Sequence, residues 1–135
     1  MKTKVGIVLP SYNKEDYLEE TINSIIQQTF NDWELIIIDN CSTDNSKKII
    51  ENYSERKQIT SIFLKRNMGV SFSRNLGIRI LNSEYISFID ADDLWKSNKL
   101  QNQISFMEKN NYDFITKANW LRKVPKSQNF RRFSV

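Results

Sequence analysis

Three carboxylates fall within four positions at Asp90, Asp92 and Asp93, where the stretch ISFIDADDLW leaves an apolar run. Like charges this close repel one another, so the cluster calls for a counterion or a helix start. Asp90 and Asp92 are two apart, which puts them on one side of an extended segment, and a turn lets them converge on one ion. Mg²⁺ and Mn²⁺ take carboxylate oxygens from one or two protein side chains and complete their shells with phosphate oxygens. Such a cation compensates the acids and, as a Lewis acid, stabilises a departing diphosphate. The same letters read equally well as an acidic helix start, with Asp92 or Asp93 as the cap before Leu94.

Three other polar clusters invite the same question. PSYNKED (10–16) offers backbone amides, the Tyr12 ring and the Asn13 amide to a flat base or a ribose; read alone, it is a helix N-cap at Asn13 with Glu15 and Asp16 in the first turn. In IIIDNCSTD (36–44), Asp39 is an acceptor for a base N–H or ribose hydroxyls, or else simple turn chemistry. In NMGVSFSRN (67–75), Arg74 lies one turn into a helical pattern, where a guanidinium pairs with a phosphate, holds an acid in position or stands in solvent. No dinucleotide-binding glycine fingerprint and no Walker lysine motif is present.

The elements that must position these clusters alternate regularly. Lys4–Leu9 reads as a buried strand ended by Pro10, and Leu18, Ile22, Ile25 and Ile26 form a helical stripe after it. Trp33–Asp39 is a continuous apolar strand, of the kind buried on both faces of a parallel sheet. A capping turn then leads to a helix around Lys47–Arg56. ITSIFLK (59–65) is a third strand, NMGVSFSRNLGIRILN (67–82) a glycine turn and third helix, YISFID (85–90) a fourth strand, and SNKLQNQISFMEKN (97–110) a fourth helix. Four strand–helix alternations with short connections predict an α/β fold: a mostly parallel sheet flanked by helices. Ligands of such sheets bind beyond the carboxyl ends of the strands, and all four polar clusters lie there. After YDFIT the period is lost, so 1–116 is read as the folded domain and 117–135 as a basic, poorly specified tail.

Bulk properties narrow the classes. A chain of 135 residues with 39% hydrophobic and 27% charged residues suits one soluble domain. The longest apolar runs, such as Leu35–Ile38, fall far short of the roughly 20 residues a bilayer needs, and the N-terminus lacks a signal peptide's longer apolar region. A single cysteine, Cys41, allows no internal disulfide and suits the reducing cytoplasm. No histidine is present, which excludes histidine catalysis and histidine-ligated zinc. The net charge of +4 is uneven: residues 1–113 carry −2, and residues 114–135 carry six basic residues and no acid. The negative body argues against nucleic acid, while the tail suits peripheral contact with an anionic inner membrane surface.

Taken together and in this order, SYNKEDYLEETINSIIQQTFNDWELIIIDNCSTD, NMGVSFSRNLGI and YISFIDADDLW resemble the family 2 glycosyltransferases of the GT-A fold, over roughly residues 3–115. The resemblance implies a Rossmann-like, nucleotide-binding GT-A half that takes a nucleotide-diphosphate sugar, a UDP-sugar as the expected donor, with Mg²⁺ or Mn²⁺. By it, Pro10, Tyr12, Asn13 and Glu15 line the nucleoside pocket, Asp39 lies beside the base and Arg74 near the nucleotide. Asp90 and Asp92 form the DxD motif, Asp92 being the metal ligand, with Asp93 and Trp95 supporting the loop. The implied reaction is inverting transfer to a glycan or lipid-linked acceptor in polysaccharide biosynthesis.

The chain departs from that pattern twice. Asn40 stands where many members carry a second acid, and an amide both donates and accepts, which bears on the base preferred. Members of this kind are usually about twice as long, with a catalytic aspartate beyond the DxD region, and no Asp or Glu follows Asp113 here. An inverting transfer needs a base for the acceptor hydroxyl, so the sequence alone reads as a truncated form that binds donor only. The competing reading is a non-catalytic, degenerate α/β module held to a membrane or partner by its basic tail.

Overall fold

The computed structural model of the protein describes residues 2–115 and 121–123. Its elements run β1 (Thr3–Ser11), α1 (Leu18–Ile26), β2 (Trp33–Asp39), α2 (Ser46–Glu51), β3 (Ile59–Phe63), α3 (Val70–Ile80), β4 (Ser83–Phe88), α4 (Lys99–Asn110), β5 (Phe114–Ile115) and β6 (Leu121–Lys123). One sheet holds all six strands in the order β3-β2-β1-β4-β6-β5. Strands β1 to β4 are parallel, as their apolar runs predict, and β6 joins β4 antiparallel, with Tyr85 opposite Lys123.

Alternation along the central strands sorts the core into two layers. Val5, Ile7 and Leu9 of β1 and Leu35 and Ile37 of β2 face the stripes of α1 (Leu18, Ile22, Ile25) and α4 (Leu100, Ile104, Met107), together with Ile50 of α2. Val8, Ile36, Ile38 and Ile86 face the opposite side, against Leu76 and Ile78 of α3. Helix α3 sits close on the sheet because Gly77 has no side chain: a Cβ there would lie 2.5 and 2.8 Å from the Val8 methyls.

Four local expectations are corrected. Pro10 does not end β1, which continues through Ser11 paired with Asp39. Val8 accepts from Ile89 N and Ser11 from Asn40 N, so by alternation the missing Pro10 N–H points towards β4, whose strand has already ended at Phe88. Asn13 does not cap α1. It has φ 49°, and a turn intervenes in which Tyr17 N and Leu18 N both donate to the Lys14 carbonyl. The first-turn acids are therefore Glu19 and Glu20, not Glu15 and Asp16. Helix α2 is only six residues long and tightens into successive three-residue turns up to Arg56, with bonds such as Tyr53 N to Ile50 O. Of the segment 117–135, read as lacking regular structure, Leu121–Lys123 form a strand; the remainder of that basic tail lies outside the described residues. Among the described residues no helix is long and apolar enough to cross a membrane.

Candidate functional site

The strand order sets the location of the site. From β1 the chain winds outward through β2 and β3, then crosses back to β4 on the other side of β1. The carboxyl ends of β1 and β4 thus flank the point where the winding reverses, the usual ligand position in an open α/β sheet. A cleft of about 360 Å³ lies there. Pro10, Ser11, Tyr12 and Lys14 line it from the end of β1, Asn40 from β2, Val70 from the start of α3, and Asp90, Ala91 and Asp92 from beyond β4.

Each acid of the DxD pair faces its own cation. Arg74 Nη2 lies 2.8 Å from Asp90 Oδ1, and Lys14 Nζ lies 2.9 Å from Asp92 Oδ2. All four side chains are about half exposed, so solvent screens both pairs and neither adds much to stability. Their effect is electrostatic alignment. The bond to Asp92 holds the Lys14 ammonium above its ordinary pKa, and the same bond keeps the Asp92 carboxyl below the usual carboxylate range. Asp93 goes the other way: partial burial, then the charges of Asp90 and Asp92, push its carboxyl up. Asp92 and Asp93 are therefore not equivalent: the Lys14 ammonium favours the ionised form of Asp92, and burial disfavours that of Asp93.

The acid loop is held from behind by α1. Thr21 Oγ1 donates to the Ala91 carbonyl at 3.0 Å, between the two acids. The Ser24 hydroxyl accepts from Trp95 N at 3.2 Å. Gln28 Nε2 donates to the Lys96 carbonyl at 2.7 Å while its Oε1 accepts from Leu100 N at 3.1 Å. Thr21 and Ser24 stand at i and i+3 on α1, a polar edge beside the apolar stripe, and Gln28 follows just past the end of the helix. Buried Trp95 packs under the loop, with the Lys99 ammonium 3.9 Å from its ring centre.

Other residues expected at the nucleoside end serve the walls. Asn13 Oδ1 accepts from Thr43 N at 2.8 Å, and Glu15 Oε2 accepts from Asn45 N and Nδ2 at 3.0 and 2.7 Å. These bonds fasten the β1–α1 loop to the β2–α2 loop and turn both side chains away from the cleft lining. Asp39 is buried and closes its own turn, accepting from Ser42 N at 3.0 Å and Ser42 Oγ at 2.6 Å. Asn40 takes the place beside the cleft. Its Oδ1 accepts from Met68 N at 2.7 Å and its Nδ2 donates to Asn67 Oδ1 at 2.8 Å, which joins β2 to the start of α3. Of the expected residues, Pro10, Tyr12, Asp90 and Asp92 thus line one cleft, Arg74 pairs with Asp90, and Asn13, Glu15 and Asp39 stand behind it.

Lys14, Ser11 and the ladder of Thr21, Ser24 and Gln28 stand at or behind the cleft and are positions that sequence reading passes over. Lys14 had a signal, a cation in the loop facing the acids, but its partner is 78 residues away. Thr21, Ser24 and Gln28 had another: polar residues at helical spacing next to an apolar stripe.

The donor set suits a hard divalent ion. Asp90 and Asp92 each commit one oxygen to a cation and leave the other free in a solvent-open cleft, and Mg²⁺ or Mn²⁺ asks for one or two carboxylates with phosphate or water oxygens. Among the described residues there is no cluster of three or more Asp, Glu, Cys or His that would form an all-protein cage.

The mostly parallel α/β sheet thus carries a cleft at its switch point, with Tyr12 on one wall and Asp90 and Asp92 on another. The chain belongs to glycosyl transferase family 2, whose family model matches residues 6–132. It is 38% identical over 107 residues to TuaG of Bacillus subtilis, named as a teichuronic acid biosynthesis glycosyltransferase, with 78% of this chain and 42% of that protein covered. To WfgD of Escherichia coli, a UDP-Glc:alpha-D-GlcNAc-diphosphoundecaprenol beta-1,3-glucosyltransferase, it is 39% identical over 113 residues, 82% of this chain and 44% of that protein. Among solved structures, S. aureus TarS 1-349 in complex with UDP-GlcNAc superposes with a TM-score of 0.78 at 28% identity, over 92% of this chain and 37% of that one. The chain thus spans less than half the length of these relatives.

Proposed function

We propose that this chain is the donor-binding part of a glycosyltransferase that moves a sugar from a UDP-sugar to a glycan or lipid-linked acceptor with inversion. The observation that carries the proposal is the cleft between the ends of β1 and β4, where the exposed Tyr12 ring stands at one wall and Asp90 and Asp92 at the other. A flat base stacked on Tyr12 directs its diphosphate towards the acids. The UDP-GlcNAc held by TarS and the UDP-glucose in the name of WfgD support the class of donor. The undecaprenol-linked acceptor in that name, and the cell-wall polymer in the name of TuaG, support the class of acceptor.

The residues divide the work as follows. Pro10 and Ser11 form the floor, and the buried Ser11 hydroxyl, without a partner among the described residues, has a free donor for a ligand oxygen. Asp39, Asn13 and Glu15 shape the nucleoside end by tying loops. Asp92, with Asp90, would hold Mg²⁺ or Mn²⁺, which supplies Lewis-acid stabilisation of the leaving diphosphate. Arg74, 2.8 Å from Asp90 Oδ1, holds that carboxylate in place at the cleft. Donor binding is the step that the residues of this cleft support.

Calorimetric titration of UDP with and without Mn²⁺ tests this. The wild-type chain is expected to bind UDP more tightly with Mn²⁺, and Asp92→Asn to lose most of that gain, about tenfold or more for a charged metal contact. Metal-dependent binding of equal strength in Asp92→Asn overturns the proposed site.

A further inference from the structure

We infer that Lys14 couples metal binding to donor binding: it holds Asp92 in the free protein and passes to the donor diphosphate when the metal takes its place. The inference rests on the donor-site reading above and adds to it a residue that the DxD pattern does not include. Three observations point to it. The Lys14 ammonium contacts Asp92 Oδ2, on the carboxylate proposed above as the metal ligand, at 2.9 Å. Lys14 also lines the cleft itself, within reach of an incoming anion. Its backbone is fixed at both ends, with Lys14 N donating to Ser46 Oγ at 3.0 Å and the Lys14 carbonyl accepting from Tyr17 N and Leu18 N. Only the four-carbon stem is free to move.

Charge decides the sequence of events. A divalent ion arriving alone meets an ammonium already paired with the same carboxylate, and the two cations repel at short range. A diphosphate arriving alone gains Lys14 but then faces an uncovered Asp92. With both present, Asp92 would hold the metal and Lys14 would pair with the phosphate, so every charge has an opposite neighbour. Each ligand therefore tightens the other, by the same factor in both directions. Arg74 is not built for the exchange: its rigid guanidinium sits on a helix that is packed down on the sheet through Gly77. A lysine, a flexible point charge with three rotatable donors, is.

The test uses three titrations: Mn²⁺ alone, followed by the paramagnetic signal of free Mn²⁺; UDP alone in chelator; and UDP with saturating Mn²⁺. Lys14→Met, which keeps the stem and removes the charge at an exposed site, is expected to bind Mn²⁺ alone about three- to tenfold more tightly, as fits loss of one screened like-charge contact. It is expected to bind UDP with Mn²⁺ about three- to tenfold more weakly, for the lost phosphate contact. Lys14→Arg, which keeps the charge but not the compact flexible head, should bind Mn²⁺ alone as wild type does. Unchanged Mn²⁺ affinity in Lys14→Met overturns the coupling. If Asp92→Asn abolishes the metal effect while Lys14→Met behaves as wild type, the donor site stands and only this inference falls. If Asp92→Asn leaves Mn²⁺ and UDP binding intact, the site reading beneath it falls as well.

Discussion

Replacing Gly77 by alanine tests whether the fit of α3 on the sheet positions Arg74. In the native packing an alanine Cβ would lie 2.5 and 2.8 Å from the two Val8 methyls and 3.2 Å from the Val8 Cβ. Carbon atoms settle at about 3.5–4.0 Å, so the overlap is roughly 1 Å against two atoms at once. Val8 has no room to yield: it is fully buried in the central strand, packed with Ile36, Ile38 and Ile86, and a β-branched side chain has few rotamers. Helix α3 must lift instead. Overpacking of this kind costs about 1–3 kcal/mol, and the better helix propensity of alanine returns up to about 1 kcal/mol. A net loss of about 1–2 kcal/mol is expected in urea unfolding. Arg74 is one turn before Gly77 on the same face, so the lift also draws its guanidinium from Asp90, and UDP–Mn²⁺ binding should weaken several-fold. Val8→Ala alone should cost about 2 kcal/mol for the deleted methyls and the cavity. The double variant should be more stable than the summed singles by about 1–2 kcal/mol, because the clash is gone. Additive losses, or a Gly77→Ala variant as stable as wild type, refute the packing argument.

Two further outcomes follow from groups around the acid loop. Thr21→Val leaves the Ala91 carbonyl without the donor it meets at 3.0 Å, so unfolding free energy should fall by about 1–2 kcal/mol and UDP–Mn²⁺ affinity should fall with it; unchanged affinity would mean that α1 does not hold the loop. Lys99 is largely buried against Trp95, and burial pushes its pKa down from 10.5 to about 8. Between those values the unfolded chain binds more protons than the folded one, so this group makes stability rise with pH across that window, and below about 8 its full penalty is present. Lys99→Met should therefore be more stable than wild type at pH 7 by about 1–3 kcal/mol, less the lost ring contact, and the gap should close towards pH 10.5. A gap independent of pH in parallel urea titrations rules out the buried charge as its cause.

The amino-acid sequence by itself determined the alternation of strands and helices, because apolar periodicity is a property of neighbours in the chain. Trp33–Asp39 reads directly as β2, and Leu100, Ile104 and Met107 read directly as the buried stripe of α4. It also placed the polar clusters at strand ends, and the motif order across those ends carried the family. Only the tertiary structure decided what each cluster does. With β1 lying between β2 and β4, the loop after β1 has neighbours on both sides, some 30 residues away in one direction and 78 in the other. Asn13 and Glu15 turn to the first neighbour and become braces, while Lys14, the residue between them, turns to the second and meets Asp92. No local pattern separates those three residues, because the strand order that sets their partners is a property of the folded sheet.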